Sequence, residues 1–271
     1  MRTWFLICLL APLGAAADMP AVHTEKARAT PDFCQQDKDG RFENGGGTYC
    51  APVAVSNGLM CLGQRGFPKL CPPAATTKES QIKLIHTLAA RDYMDADDGA
   101  GPPGVARGIK KYVTGAGYRI ARLEYQGWRR GPRDAPPLDD TPQLDWLKAG
   151  VADPHGAVFL NIGWYTQEPG SKDFKRLGGH WMTVVGYGVD AQGRKDPRVL
   201  LIHDPALRTG LAPKTQHVRL EELKSGQLTG GERGLPRPAA GFYSLREGMV
   251  IKKSVQAAIL DAAVVLVLAK E

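Results

Sequence analysis

The sequence predicts an α+β fold in which N-terminal helices pack on a C-terminal antiparallel sheet. Apolar residues recur at helical spacing in the first half of the chain, and short apolar runs typical of buried strands dominate after Asp145. Two of those runs are joined by a turn that contains glycine. Helices followed by strands favour segregated layers over a repeated strand-helix-strand unit. A chain of 271 residues is long enough to bury a substantial core.

The helical part begins with the segment that contains Cys50. Apolar residues recur at intervals of four, four and three from Ala51 to Leu62, and Pro52 falls in the first turn, where its missing N–H is tolerated. This pattern predicts a helix that starts at or just before Cys50. Further helical patterns cover residues 80–91, about 104–114 and a short stretch around 144–149.

The strand part contains four apolar runs, at residues 157–162, 181–187, 199–202 and 263–268. The second and third runs are separated by Asp190-Ala191-Gln192-Gly193-Arg194, which has the glycine and polar residues of a hairpin connection. We therefore expect these two strands to pair antiparallel.

The N-terminal residues predict a secretion signal. Arg2 supplies the positive end, a short apolar run follows, and Ala15 to Ala17 form a small-residue cleavage pattern. We expect a signal peptide over 1–17, a flexible leader over 18–31 and one domain over 32–271. The apolar run is too short for a membrane anchor, so the mature protein is expected to be secreted or periplasmic.

The composition limits the partners that we expect. Hydrophobic residues make up 43% of the chain and charged residues 23%, which excludes collagen-like, coiled-coil and wholly disordered chains. The formal charge is +7, but the cations are scattered. Their densest stretch, residues 128–133, is predicted to be a solvated loop, so no nucleic acid is expected as a partner.

Three residues in the chain suggest nucleophilic chemistry. Cys50 lies at a helix start, where the helix dipole favours a thiolate. His180 follows two glycines and opens the second strand, and Asp204 ends the third strand. If these strands form a hairpin, its pairing brings the carboxylate beside the imidazole. The arrangement is that of a nucleophile, a base and a residue that orients the base.

The motifs TYCAPVAVSN, GGHWMTVVGYG and LLIHDPA, in this order, resemble those of papain-like cysteine peptidases, in particular the bacterial group related to the double-glycine leader peptidases of bacteriocin exporters. The resemblance extends from about Asp32 to the C-terminus. It implies a papain-like fold, a peptide or protein substrate, no cofactor, Cys50 as nucleophile, His180 as base and acid, and Asp204 as the orienting residue.

The same resemblance implies a glutamine that helps to form the oxyanion hole. Gln35 is the first choice and Gln36 the second, although both lie further upstream of Cys50 than is usual in the family. The double-glycine exporters carry a transporter after the peptidase, and this sequence has none, so leader processing coupled to export is not expected.

Other roles for the cysteines and for the fold remain open. Cys61 and Cys71 are separated by a turn-rich loop and are the best candidates for a disulfide, and Cys34 could be bound to Cys50 in a non-catalytic binding protein. The fold could also serve a cell-wall peptide amidase or an acyl transferase. No zinc-binding motif is found, so no metal is expected.

Overall fold

The computed structural model describes residues 19–133, 137–206, 214–230 and 235–270. The predicted signal peptide, 1–17, lies outside the described residues. The helices longer than one turn are α1 (Glu25–Ala29), α2 (Cys50–Gln64), α3 (Thr77–Ala89), α4 (Pro102–Gly115) and α5 (Leu144–Ala152). Within the described part of the chain, none of the helices has the length and apolar character needed to cross a membrane.

The strands form one sheet that closes on itself. They are β1 (Ile120–Gly127), β2 (Gly156–Thr166), β3 (Phe174–Val189), β4 (Lys195–His203), β5 (Gln216–Glu222), β6 (Gln227–Thr229), β7 (Arg237–Pro238), β8 (Tyr243–Glu247) and β9 (Ala257–Leu268). Strands β2, β3, β4, β5, β8 and β9 pair antiparallel in that order, and β9 returns to β2. The molecule therefore contains a closed antiparallel barrel, extended by β1 at β9 and by β6 and β7 at β3.

Two layers of apolar side chains follow from the alternation along the strands. One set, which includes Phe159 and Trp181, packs against helices α2 to α4 outside the barrel. The other, which includes Val158 and Met182, fills the barrel and contacts α5. Helix α2 lies so close to the sheet that a Cβ atom on Gly58 would be 2.7 Å from the Phe159 ring. The Thr183 hydroxyl also donates a hydrogen bond of 2.6 Å to the carbonyl of Ala54 in this helix.

The structure agrees with the coarse prediction of helices and an antiparallel sheet. Helix α2 starts at Cys50, and β3 and β4 form the predicted hairpin, with Thr183 opposite His203. Its turn is closed by hydrogen bonds between Asp190 and Arg194. The segregation is incomplete, however, because β1 precedes α5. Its charged residues Arg122 and Glu124 obscure the strand pattern in the sequence.

The prediction of a flexible leader over 18–31 is wrong for the described residues of this segment. His23 exchanges backbone hydrogen bonds with Tyr187 of β3. The buried Lys26 amino group donates to the carbonyls of Asp153 and Gly156, each at 2.6 Å. Burial lowers the pKa of Lys26 to about 8. A lysine suggested a solvated segment in the sequence, but here it binds the carbonyls at the end of α5.

The candidate disulfides are not formed in this structure. None of the four described cysteines is part of a disulfide. The Cys71 sulfur packs against Gly63 in the last turn of α2, where a larger residue would overlap it. The Cys71 sulfur therefore lies beside the helix backbone two residues beyond Cys61.

Candidate active site

Cys50 is the first residue of α2, and its thiol is held in a polar setting. The His180 side chain and the backbone N–H groups of Ala51 and Trp181 favour a negative charge on the sulfur. The first turn of this helix contains no acidic residue that would oppose a thiolate. The unpaired N–H groups of a helix start favour a negative charge at this position.

His180 and Asp204 meet because β3 and β4 pair antiparallel. The imidazole Nε2 lies 2.6 Å from Asp204 Oδ1, and both side chains are almost wholly buried. The same carboxylate oxygen accepts a hydrogen bond of 2.9 Å from the backbone N–H of Ala206. Since Asp204 occupies Nε2, the other ring nitrogen of His180 is the one that remains for Cys50. The structure thus brings together the three residues that the sequence predicted.

The charges in this group favour a thiolate and an imidazolium. Burial alone would raise the pKa of Cys50, but the hydrogen bond and the charge of His180 outweigh it, so the pKa of the thiol falls below its ordinary value. Burial alone would lower the pKa of His180, but Asp204 and Cys50 raise it above its ordinary value. Both shifts make proton transfer from sulfur to nitrogen easier than it would be between the two free groups.

Trp164, which the sequence motifs did not single out, covers one face of the His180 imidazole. Its indole stacks on the His180 ring, with 6.0 Å between ring centroids and 27° between planes. Trp164 lies in β2 opposite Gly178 of β3. A stacked indole excludes water and restricts rotation of the ring. Its position two residues after the predicted strand 157–162 was the available signal.

Gln35 contacts the loop that leads into Cys50, and its contacts differ from those expected of an oxyanion-hole donor. Its side-chain Nε2 donates to the carbonyls of Gly46 at 2.7 Å and Gly47 at 3.3 Å. Both N–H groups are thus used by the loop that leads into Cys50. Gly46 has a φ of +78°, and any Cβ there would overlap the Gln35 carbonyl. Gln35 therefore holds the glycine loop in place in this structure.

The second-choice glutamine has a different environment. Gln36 is exposed, and both its backbone N–H and its side-chain oxygen contact the Cys34 sulfur, at 3.3 and 3.4 Å. The contacts found for Gln36 therefore join it to Cys34.

Asp32 is a further titratable group beside the triad that the sequence analysis did not identify. Both of its carboxylate oxygens are buried, and neither has a hydrogen-bond partner among the described residues. Burial and the nearby charge of Asp204 raise the pKa of Asp32 to about 7. The chain around it is fixed, because the Pro31 carbonyl lies 3.0 Å from His203 Nδ1 and the Gln35 N–H donates to the Pro205 carbonyl at 2.7 Å.

Comparisons with known proteins add no assignment. The chain matches no model of a known protein family, and no curated protein matches it. Within the described residues, no group of three or more His, Cys, Asp or Glu side chains is arranged to hold a metal ion. The functional argument therefore depends on the geometry around Cys50.

Proposed function

We propose that this protein is a papain-like thiol hydrolase that cleaves peptide bonds through an acyl-enzyme. The observation that carries the proposal is the His180 ring, which contacts Asp204 at 2.6 Å and interacts with the Cys50 thiol at the start of α2. The opposite shifts in the pKa values of the thiol and the imidazole add to it, because a nucleophile and a general acid need them.

The proposed reaction starts from the thiolate and imidazolium pair. The Cys50 sulfur attacks the peptide carbonyl carbon, and the carbonyl oxygen becomes an oxyanion. The His180 imidazolium gives its proton to the leaving amine nitrogen, so the C–N bond breaks and a thioester forms. His180 then takes a proton from water, whose oxygen attacks the thioester and releases the carboxylic acid. Asp204 holds the ring orientation throughout.

The proposed location follows from the predicted signal peptide. We propose that the protein is secreted or periplasmic, with a mature chain that starts at Asp18. Sequencing the N-terminus of protein recovered outside the cytoplasm tests this directly. A chain that still carries residues 1–17 would contradict it.

The alternative of a binding protein with Cys50 bound to Cys34 has no support in the geometry. Neither cysteine is part of a disulfide, and His180 lowers the pKa of the Cys50 thiol. No observation favours a cell-wall amidase or an acyl transferase over a peptidase.

The test is the pH dependence of labelling by a peptidyl epoxide probe that alkylates thiolates. In the wild-type protein we expect labelling at Cys50, already rapid at pH values well below the ordinary pKa of a thiol. His180→Ala should slow labelling and move its pH dependence towards that of an ordinary thiol, because the thiolate loses its ion-pair partner. Cys50→Ala should abolish labelling.

Cys71→Ala provides the matched control. Cys71 is also half-buried, but burial raises the pKa of its thiol, so its removal should leave the labelling unchanged. Circular dichroism checks that each variant is folded. Labelling of Cys50→Ala at the wild-type rate would refute the proposal, as would a Cys50 rate that follows an ordinary thiol titration.

A further inference from the structure

A groove with a strongly positive lining lies between α4, the start of β1 and the segment 130–133. Its volume is about 1390 Å³. None of the described residues that line it is an aspartate or a glutamate. Six of them are basic, namely Arg107, Lys110, Lys111, Arg119, Arg130 and Arg133. The sequence had assigned part of this set to a solvated loop.

Ion pairs within the protein leave much of the positive charge of these basic residues unneutralised. Arg119, Arg130 and Arg133 have no ion-pair partner among the described residues, and all three are exposed. Lys111 has only a long contact of 3.4 Å with the exposed Asp92. Arg107 donates to a backbone carbonyl, which does not cancel its charge. Like charges around one concave surface raise the local potential and attract anions.

The remaining lining indicates which kind of anion fits. Pro103, Ala106, Ile120, Leu123 and Pro132 give the groove apolar walls between the cations. A polyphosphate or a nucleic-acid backbone would leave these walls without a complementary surface. A peptide can place carboxylates on the cations and apolar side chains on the walls. We propose that this groove binds an acidic peptide segment that also carries apolar residues.

One end of the groove is linked by a hydrogen bond to the strand that carries His180. Gly101 lines one end, and its neighbour Ala100 accepts a hydrogen bond of 2.8 Å from the indole of Trp181, the residue after His180. From there the groove follows α4, whose 14 residues span about 21 Å. This length matches about six residues of extended peptide. Binding in the groove requires no turnover, so it stands apart from the proposed hydrolysis.

The test measures binding to the full mature chain carrying Cys50→Ala, so that the probe cannot be consumed. The probe is a fluorescein-labelled peptide of eight alternating Glu and Leu residues, followed by fluorescence anisotropy. We expect binding that weakens as salt rises from 0.05 to 0.5 M. The same peptide with Gln in place of Glu should bind at least ~10-fold more weakly, because the cations lose their partners.

Charge reversal locates the site. Arg119→Glu combined with Arg130→Glu should reduce affinity for the Glu peptide at least ~10-fold. Lys195→Glu combined with Lys253→Glu changes the net charge equally at exposed positions outside the groove and should retain the affinity. Thermal melting checks that both variants fold, and Arg130→Ser provides a milder variant, for which we expect a smaller loss in the same direction.

Equal losses in the two charge-reversal variants would overturn the proposal, because net charge alone would then explain binding. Tighter binding of an eight-nucleotide thymidine strand than of the Glu peptide would overturn it in favour of a phosphate polymer. Failure of the proposed hydrolysis would appear separately, as loss of epoxide labelling at Cys50 in the otherwise wild-type chain.

Discussion

Two buried carboxylates in this molecule have the same exposure but different partners. Asp204 and Asp261 both have side chains with no accessible surface, and each has a nitrogen 2.6 Å from a carboxylate oxygen. At Asp261 that nitrogen is Nε of Arg176, whereas at Asp204 it is Nε2 of His180. The partner of Asp261 is therefore permanently charged, whereas the partner of Asp204 can gain and lose a proton.

The Asp261 cluster is saturated with donors. Besides Arg176, the carboxylate accepts hydrogen bonds from the Tyr165 hydroxyl at 2.5 Å and the Trp128 indole at 3.1 Å. Burial and Asp261 raise the pKa of Tyr165 far above its ordinary value, so the phenol keeps its proton. An arginine is charged at every accessible pH. The cluster therefore holds one charge state, which suits a structural role that joins β2, β3 and β9.

The Asp204 site can instead change its charge distribution. His180 shares its proton with the Cys50 thiol, so the charge beside Asp204 depends on whether sulfur or nitrogen holds it. Partner identity, and not burial, therefore distinguishes the Asp204 carboxylate from the Asp261 carboxylate. The change of Asp to Asn should therefore have a different effect at each of the positions Asp204, Asp261 and Asp32.

The largest effect is expected for Asp204→Asn. Asparagine keeps the size of the side chain but removes the charge that raises the pKa of His180. Hydrolysis of fluorescent casein should fall on the order of 10²-fold, because a neighbouring carboxylate shifts such a pKa by about 1–3 units. Epoxide labelling of Cys50 should also move to higher pH, because the thiolate loses part of its stabilisation. An unchanged rate and an unchanged pH profile would show that Asp204 does not support the imidazole.

A large loss of stability is expected for Asp261→Asn. The substitution leaves the Arg176 guanidinium buried without an anion, which should lower the free energy of unfolding by about 3 kcal/mol. Urea denaturation measures this, and the pH profile of Cys50 labelling should not move. Adding Arg176→Met should recover part of the loss. A stable single variant with an altered labelling profile would reverse the roles assigned to the two carboxylates.

The smallest effect is expected for Asp32→Asn, and its sign depends on pH. The folded protein holds the Asp32 proton up to about pH 7, whereas the unfolded chain releases it near the ordinary value of 3.8. The unfolded state therefore binds fewer protons between these values, and stability falls as pH rises through this range. The raised pKa corresponds to about 2 kcal/mol once partial exposure is considered.

Asp32→Asn removes this penalty. The variant should be more stable than the wild type by about 2 kcal/mol at pH 8 and nearly equal to it at pH 4. Urea denaturation at the two pH values measures the difference. The same gain at both pH values would mean that the ionisation of Asp32 is not the cause.

Local patterns were enough to predict the main parts of the site. The period of the apolar residues located the start of α2 at Cys50, and the glycine turn at 190–194 predicted the hairpin that joins His180 to Asp204. These signals depend on residues close together in the chain. The structure extends the predicted strands at their polar ends, as in β3, which begins at Phe174.

The rest depends on contacts between distant residues. Closure of the barrel needs β9 to pair with β2 and β8, and nothing within β9 reveals these neighbours. Lys26 is buried because two carbonyls more than 120 residues away accept its hydrogen bonds. Trp164 and Asp32 join the site in the same way, through the pairing of β2 with β3 and the path of the chain beside His203.

The position of β9 also affects the order in which the sheet forms as the chain is synthesised. One edge of this strand pairs with β2, and the other edge pairs with both β8 and β1. While β9 is still inside the ribosome, the sheet remains open, because β2 and β8 lack the strand that joins them. Completion of the barrel therefore waits until β9 has left the ribosome, and until then β2 has an unpaired edge.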